Sequence, residues 1–521
     1  MKVPETPPDL LTLHATANSG KAALIDDRPD GSQLCWSYAE LEARANRLAN
    51  VLLAHGVRAR DRVIWCGPNS PDVVTLTHAA RKISATAVPL NYRFTPDEAA
   101  YVVDNCDAVF AWVDADQAGL FAEIRSRCPM LRDVAIFGGR PGAGQLDGEA
   151  LLAAASATAP ARPDAEPQTM IYTSGTTGHP KGAVRSGIGD PEQVRALTGF
   201  IGCRSDDVYL STGPLYHSGP GGFMGLAYAF GQTVVLQRKF DAEDWLRLVA
   251  KHRVSSTFSA PTPIRMVCNL PDAVKQKYDR SSMRVMIANA APWSFALKQQ
   301  YVRDFPPSSL WEVYGSTELG VDTILRPEDQ LRKPGSCGKP SPMVEVILFD
   351  DDGKPVTKPH TPGELFVRSR SVLSTYHKAH DKYEADTRGD YHTVGDVAYF
   401  DEEGFYYICD RKKDMVISGG MNIYPAEIEA ALEAHPDIYD AAVFGIPSEE
   451  WGEAVHAVVV AKPGAQLDAA AVVAHAREHL ASYKIPRSVS FAAELPRTGS
   501  GKLLKRTLRE PFWQGHDRRV G

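Results

Sequence analysis

The chain has 521 residues, with 57 Lys and Arg against 64 Asp and Glu, a formal net charge of −7, and 44% hydrophobic and 23% charged residues. That balance excludes a disordered chain and argues against a dedicated nucleic-acid binder, which needs a basic footprint. At about 150 residues per domain the length predicts roughly two to four domains. Eight cysteines lie dispersed without a C-x-x-C pair, so reduced, mostly buried thiols are expected rather than a zinc or redox site. The first eleven residues lack an apolar signal core, and no run of about 18 apolar residues occurs. A soluble cytoplasmic protein is the expectation.

In chain order, Ser37 and Glu40 form an S-x-x-E capping box before a helix whose Leu41, Ala45, Leu48 and Leu52 share one face until Gly56. Apolar runs at 63–66, 85–90 and 108–113 alternate with helical patterns such as 96–106. This alternation predicts βαβ units around a largely parallel sheet. Residues 141–167, rich in Ala, Pro and Gly, read as a surface linker. Beyond about residue 340, short strands at 344–349, 363–367 and 397–409 are joined by turns such as Asp352-Gly353. From Lys413 a smaller α+β unit begins, with helices at 425–434 and 468–480 and strands at 441–445 and 455–461. The expected division is a large domain, 1–412, and a small one, 413–521.

Five motifs carry chemistry. Thr173-Ser174-Gly175-Thr176-Thr177-Gly178-His179-Pro180-Lys181 follows a strand-like Met170-Ile171 and packs hydroxyls, glycines and a lysine into one anion cradle. Its lysine spacing is not that of a Walker A loop. Tyr314-Gly315-Ser316-Thr317-Glu318 offers an aromatic to stack on a base and a carboxylate for Mg²⁺. Asp396, with Arg411 fifteen residues on, suits a ribose acceptor beside a phosphate partner. Pro496-Arg497-Thr498-Gly499-Ser500-Gly501-Lys502 presents one lysine from a tight loop, and Tyr216-His217-Ser218-Gly219 opens a Gly-rich segment. Taken singly, each of the last four also fits an ordinary turn or a structural histidine.

Their order decides. From about 37 to 505 the chain resembles the adenylate-forming (ANL) superfamily: acyl- and aryl-CoA synthetases, adenylation domains of peptide synthetases, and firefly-type luciferases. YTSGTTGHPKG carries most of the resemblance, followed in the same order by YGSTE, TVGD, DRKKD, SGGMNIYPAEIE and PRTGSGK. The resemblance implies an α/β fold: a large N-terminal domain of parallel and mixed sheets with packed helices and a β-barrel-like subdomain, then a small mobile α+β domain.

It also implies roles. Thr173, Ser174, Gly175, Thr176, Thr177 and Lys181 would hold ATP phosphates. Ala290, Ala291 and Pro292 would line the base opposite Tyr314. Gly315 and Ser316 would join the nucleotide site, Gly315 touching the acyl group as well. Thr317 would meet the α-phosphate, and Glu318, with Thr173, would be the Mg²⁺ ligand. Asp396 would bind the ribose and Arg411 would sit beside it. Lys502, with His217, Thr317 and Glu318, would be catalytic. Tyr216, His217, Ser218 and Gly219 would line the acyl entrance. Asn289 stands where the superfamily usually has glycine, so its amide would shorten the acyl channel or hydrogen-bond a polar acyl group. A rotation about Lys413 would exchange Lys502 for Ser418, Gly419 and Gly420, glycines leaving room for a pantetheine tunnel.

The resemblance therefore implies activation of a carboxylic acid, fatty or otherwise apolar, by Mg-ATP to an acyl-AMP, then transfer to CoA. Loading of a carrier protein and non-catalytic nucleotide binding are the alternatives. No nucleic-acid partner or transmembrane segment is expected. Peripheral membrane contact and a homodimer stay open.

Overall fold

The expected capping box is formed: Ser37 Oγ accepts from the Glu40 N–H and the Glu40 carboxylate accepts from the Ser37 N–H. It starts the helix Tyr38–Ala54, whose Leu41, Ala45, Leu48 and Leu52 are fully buried, and Gly56 at φ +77° follows its end. The structure, a computed structural model, describes residues 9–173, 180–186, 190–291, 293–497 and 503–514.

A nine-stranded sheet organises the large unit. Its six inner strands run parallel in the order Leu310–Ser316, Val285–Ala288, Ser256–Ser259, Val208–Ser211, Thr233–Leu236 and Ala22–Asp27. Antiparallel strands Gly320–Leu325 and Lys339–Pro340 extend one edge and Gln33–Ser37 the other. A core that includes Trp245 and Tyr301 packs helices Ala242–His252, Pro261–Cys268 and Phe295–Asp304 on this sheet, and a second core takes in helices Tyr38–Ala54 and Ser218–Ala229. Burial of both faces explains why these strands read as near-continuous apolar runs.

A second, five-stranded sheet is parallel throughout, from Thr86–Leu90 through Arg62–Cys66, Ala108–Asp114 and Asp133–Phe137 to Leu146–Asp147. Its last strand corrects the expected linker. Within 141–167, Leu146–Asp147 pairs into the sheet, and Gly148–Ala154 is a helix capped by Asp147 with Leu152 buried. The Ala-rich composition taken for a linker is also good helix composition. The stretch after that helix is strapped down, because Asn50 Nδ2 donates to the carbonyls of Ser156 and Thr158, 2.9 Å each.

The expected barrel-like subdomain is a six-stranded antiparallel sheet between Glu345 and Arg411. A hairpin, Gln168–Thr173 with Lys181–Ser186, pairs with Thr375–Tyr376 in a separate sheet. The C-terminal unit is built on a longer hairpin than the sequence suggests, Ile438–Ser448 with Gly452–Ala461, flanked by helices Pro425–Glu433 and Ala469–His479. All eight cysteines are free thiols, and five of them are buried. Among the described residues no helix is long and apolar enough to cross a membrane.

Candidate active site

The C-terminal ends of four adjacent parallel strands deliver the site segments to one edge of the large sheet, where open α/β sheets hold their ligands. Val208–Ser211 leads into Tyr216, His217 and the helix Ser218–Ala229. Ser256–Ser259 leads to Ala260, Val285–Ala288 to Asn289 and Ala290, and Leu310–Ser316 to Thr317 and Glu318.

Side chains close the gaps between these segments. Ser218 and Thr317 hydroxyls lie 2.7 Å apart. Arg185 Nη2 donates to the Thr317 carbonyl at 2.8 Å. Burial pulls the Arg185 guanidinium below its ordinary pKa, while Asp322 and Glu318 work to keep it charged. The Tyr376 phenol lies beside Glu318, and burial followed by that carboxylate pushes its pKa up. Ser316 Oγ accepts from the Leu319 N–H at 3.1 Å and closes the turn. Gly315 is required: a Cβ there would stand 1.9 Å from the Gly320 carbonyl, at the point where the register of the two strands shifts.

Tyr314 donates its hydroxyl to Asp396 Oδ2 at 2.6 Å, and burial, then Asp396, drives its pKa well above the usual phenol value. Arg411 Nε approaches Asp396 Oδ1 at 3.4 Å. The fifteen-residue spacing has a simple cause, since Asp396 and Arg411 are cross-strand partners on Asp396–Phe400 and Tyr406–Arg411. Tyr216 and His217 rings sit 4.5 Å apart, with Tyr92 edge-on to Tyr216 at 5.7 Å. Burial raises the Tyr216 phenol to about 12. Gly219 has no room for a side chain, because a Cβ would lie 2.3 Å from the Phe258 ring.

Asn289 departs from the expected use. Its Nδ2 donates to the Val313 carbonyl at 2.6 Å, and its Oδ1 accepts from the Ala290 N–H. The amide thus ties neighbouring strands and holds Ala290 at φ +73°, a backbone position that favours glycine. Ala291 follows directly, while Pro292 lies outside the described residues.

Thr173 and Lys181 face each other at the ends of their hairpin. Ser174, Gly175, Thr176 and Thr177 between them, and Lys502, lie outside the described residues. Arg185 on the second strand of that hairpin links it to Thr317. Lys413 follows the last strand of the antiparallel sheet, and burial, then Arg411, lowers its pKa to about 8. Ser418 pairs with Met421 around Gly419 and Gly420, at φ +57° and +79°. Two successive positive φ values are the signature of a type I′ hairpin turn, so this Gly-Gly pair has a backbone reason as well as any steric one.

Three contributors escaped sequence reading. Arg185 reaches a backbone carbonyl 132 residues away, which no local pattern encodes. Tyr376 meets Glu318 from another sheet. Asp322 is fully buried, neither carboxyl oxygen has a hydrogen bond to a described residue, and burial, then Asp396, raises its pKa so that the neutral acid is favoured. An acidic residue in an apolar strand was its only signal.

The fold and this edge define an adenylate-forming enzyme, and the comparisons agree. Residues 11–377 match the AMP-binding enzyme family and 427–502 match the AMP-binding enzyme C-terminal domain. The chain belongs to that family. It is 35% identical over 509 residues to an indoleacetate–CoA ligase of Aromatoleum aromaticum, covering 95% of this chain and 96% of that one. It is 32% identical over 504 residues to the long-chain-fatty-acid–CoA ligase FadD13 of Mycobacterium tuberculosis, covering 96% and 98%. The crystal structure of ATP-bound MatB from Rhodopseudomonas palustris superposes with a TM-score of 0.85 at 29% identity, covering 97% of this chain and all of that one. Within the family the chain is an acid–thiol ligase of the AMP-forming type.

Proposed function

We propose that this enzyme activates an apolar-bodied carboxylic acid with Mg-ATP and passes the acyl group from AMP to CoA. The observation that carries the reading is the run of contacts along one sheet edge: Ser218 to Thr317, Arg185 to Thr317, and Tyr314 to Asp396 with Arg411 beside it. A hydroxyl pair, an aromatic ring and a carboxylate–guanidinium pair in that succession support a reading in which they meet acid, base and ribose.

In this reading Tyr314 flanks adenine opposite Ala290, Ala291 and Pro292, and Asp396 accepts the ribose hydroxyls. Thr317 donates to the α-phosphate, held in place by Arg185 and Ser218. Thr173 to Thr177 and Lys181 take the β- and γ-phosphates. No protein nucleophile is needed, because the substrate carboxylate itself attacks phosphorus. Catalysis then rests on positioning and on neutralising charge. Lys502 bridges the attacking carboxylate and the phosphate in the first step. Tyr216 and His217 gate the acyl entrance and help keep water from the mixed anhydride.

Glu318 suits a hard cation: it is an oxygen donor beside the nucleotide edge, next to the Tyr376 phenol, with Thr173 the second candidate ligand. Mg²⁺ bound there would neutralise the leaving pyrophosphate. We place the domain break after Lys412, where the chain leaves the antiparallel sheet at Arg411 and enters the C-terminal sheet at Val416. Rotation about Lys413 would bring the Ser418-Gly419-Gly420 turn to the site for thiolation.

The two relatives take their names from quite different acids, so the acid is left to experiment. Purified protein is given Mg-ATP and a panel of aryl, fused-ring, short and long alkyl acids, and AMP and pyrophosphate are measured. Thioester appearing on addition of CoA supports the reading, and acyl transfer only to a carrier protein would replace CoA as acceptor. Absence of AMP with every acid would overturn it.

A further inference from the structure

Behind the site lies a narrow, largely apolar cavity that the proposed chemistry leaves unused. It sits between the helices Pro191–Ile201 and Ser218–Ala229 and the large sheet, walled by Leu197, Ile201, Leu226 and Phe230. Its volume is about 30 Å³, room for a water-sized group and too little for an alkyl chain. On its sheet side stand Tyr209 and Ser256, direct partners on adjacent parallel strands, so their side chains share one face.

Both hydroxyls are orphans. Tyr209 is 3% and Ser256 8% exposed, and neither Tyr209 Oη nor Ser256 Oγ makes a hydrogen bond with a described residue. The Phe258 backbone amide lies beside Tyr209 without bonding geometry. The other polar groups around the cavity are already committed. Thr198 donates to Val194, Thr257 to Leu210, and Gln232 to Arg204, each to a carbonyl oxygen at 2.6–2.8 Å. Buried polar groups without partners are rare and costly, so a pair of them facing one cavity calls for a ligand group.

The cavity points at the acyl side of the site. Ser256 is three residues upstream of Ser259, the end of its strand, which places it about 10 Å below the sheet edge at ~3.3 Å per residue. Between the two levels, Phe258 stacks on Phe223 at 5.1 Å while its ring tip abuts Gly219, next to Ser218. Phe223 itself lines the cavity. A turn of the Phe258 ring off Phe223 would therefore join the carboxylate end to the space below.

We propose that the acid is an aryl or fused-ring carboxylic acid about 10 Å long, whose far end carries a hydroxyl, carbonyl or N–H that Tyr209 and Ser256 bind in this cavity. The inference deepens the proposed function, since it takes the carboxylate to be activated at Ser218 and Thr317. A site built to hydrogen-bond a substrate group discriminates strongly against the analogue lacking it, because its own polar groups are then left unpaired.

The test uses matched acids: 3-(4-hydroxyphenyl)propanoate against 3-phenylpropanoate, and 6-hydroxy-2-naphthoate against 2-naphthoate. AMP formation gives kcat/KM for each with the wild type, Tyr209→Phe and Ser256→Ala. The wild type should favour the hydroxylated member of a pair by about tenfold or more. Each variant should bring that ratio close to one, a change that general damage to the fold would not produce because it lowers both members alike. A wild type that activates both members equally, or a ratio surviving in both variants, would overturn the proposal and leave the hydroxyls to a buried water. Failure to form AMP from any acid in the wider panel would instead bring down the proposed function, and this inference with it.

Discussion

Ser218 Oγ and Thr317 Oγ1 lie 2.7 Å apart across a sequence separation of 99 residues. Ser218 begins the helix that follows His217, and Thr317 directly follows the strand that carries Tyr314. One hydroxyl donates to the other, which leaves a second proton free for an anion between the segments. Thr317→Val should therefore lower adenylation by about 10²-fold, the scale of losing one aligned donor to developing charge. Ser218→Ala, which removes the hydroxyl that steadies Thr317, should cost about tenfold. Pyrophosphate exchange measures both, and a Thr317→Val enzyme with unchanged exchange would remove Thr317 from the reaction.

Tyr314 and Arg411 each approach a different carboxylate oxygen of Asp396. In the proposed reading this carboxylate holds the ribose in ground state and transition state alike, so its loss should fall on binding. Asp396→Ala is expected to raise KM for ATP at least about tenfold, with a smaller effect on kcat and little on KM for CoA. An equal loss in kcat with unchanged KM for ATP would assign Asp396 to the chemical step instead.

Much of this was legible because the signals were local. The Ser37–Glu40 box, the buried face of Leu41, Ala45, Leu48 and Leu52, and the strand-and-turn setting of Tyr314 to Glu318 each depend on neighbours within a few residues. The pairing of Asp396 with Arg411 was visible as spacing and became geometry through strand register. What stayed hidden depends on distant partners. Arg185 acts through a carbonyl far along the chain, and Phe258 matters because Gly219 leaves it space. Asn289 looked like a group aimed at substrate, yet its amide is spent on Val313 and Ala290, a choice only the backbone path reveals. The helix Gly148–Ala154 is hard to see because its Ala-rich composition also suits a linker, and only the Asp147 cap marks its start.

Gly420 separates two explanations of one motif. Its φ of +79° makes any bulky residue strained, while open space surrounds the position where a Cβ would project. Gly420→Leu combines backbone strain with bulk. Gly420→Asn tolerates left-handed backbone far better and still adds a side chain. If the turn admits the pantetheine arm, both variants should keep hydroxylamine-trapped adenylation within about twofold and lose thioester formation by tenfold or more, roughly 1.4 kcal/mol. If the glycines serve the hairpin alone, the Asn variant should keep thioester formation and only the Leu variant should melt earlier.

Lys413 gives a pH-dependent test of the proposed joint between domains. Burial, then Arg411, lowers its pKa from 10.5 to about 8. Below pH 8 the lysine is charged in both folded and unfolded chains, and the folded chain bears the net cost of that charge, burial and Arg411 set against the attraction of Asp414 and Asp396. Between pH 8 and 10.5 the folded chain binds fewer protons than the unfolded one, so this group's contribution to stability rises with pH. Lys413→Met removes the charge and with it the cost. The variant should thus melt above the wild type at pH 7, and the gap should narrow towards pH 10 as the native lysine becomes neutral. Differences between the two proteins cancel the titration of groups elsewhere, so melting curves at the two pH values suffice. A gap that stays constant, or widens with pH, would show that Lys413 is hydrated at the joint and carries no such penalty.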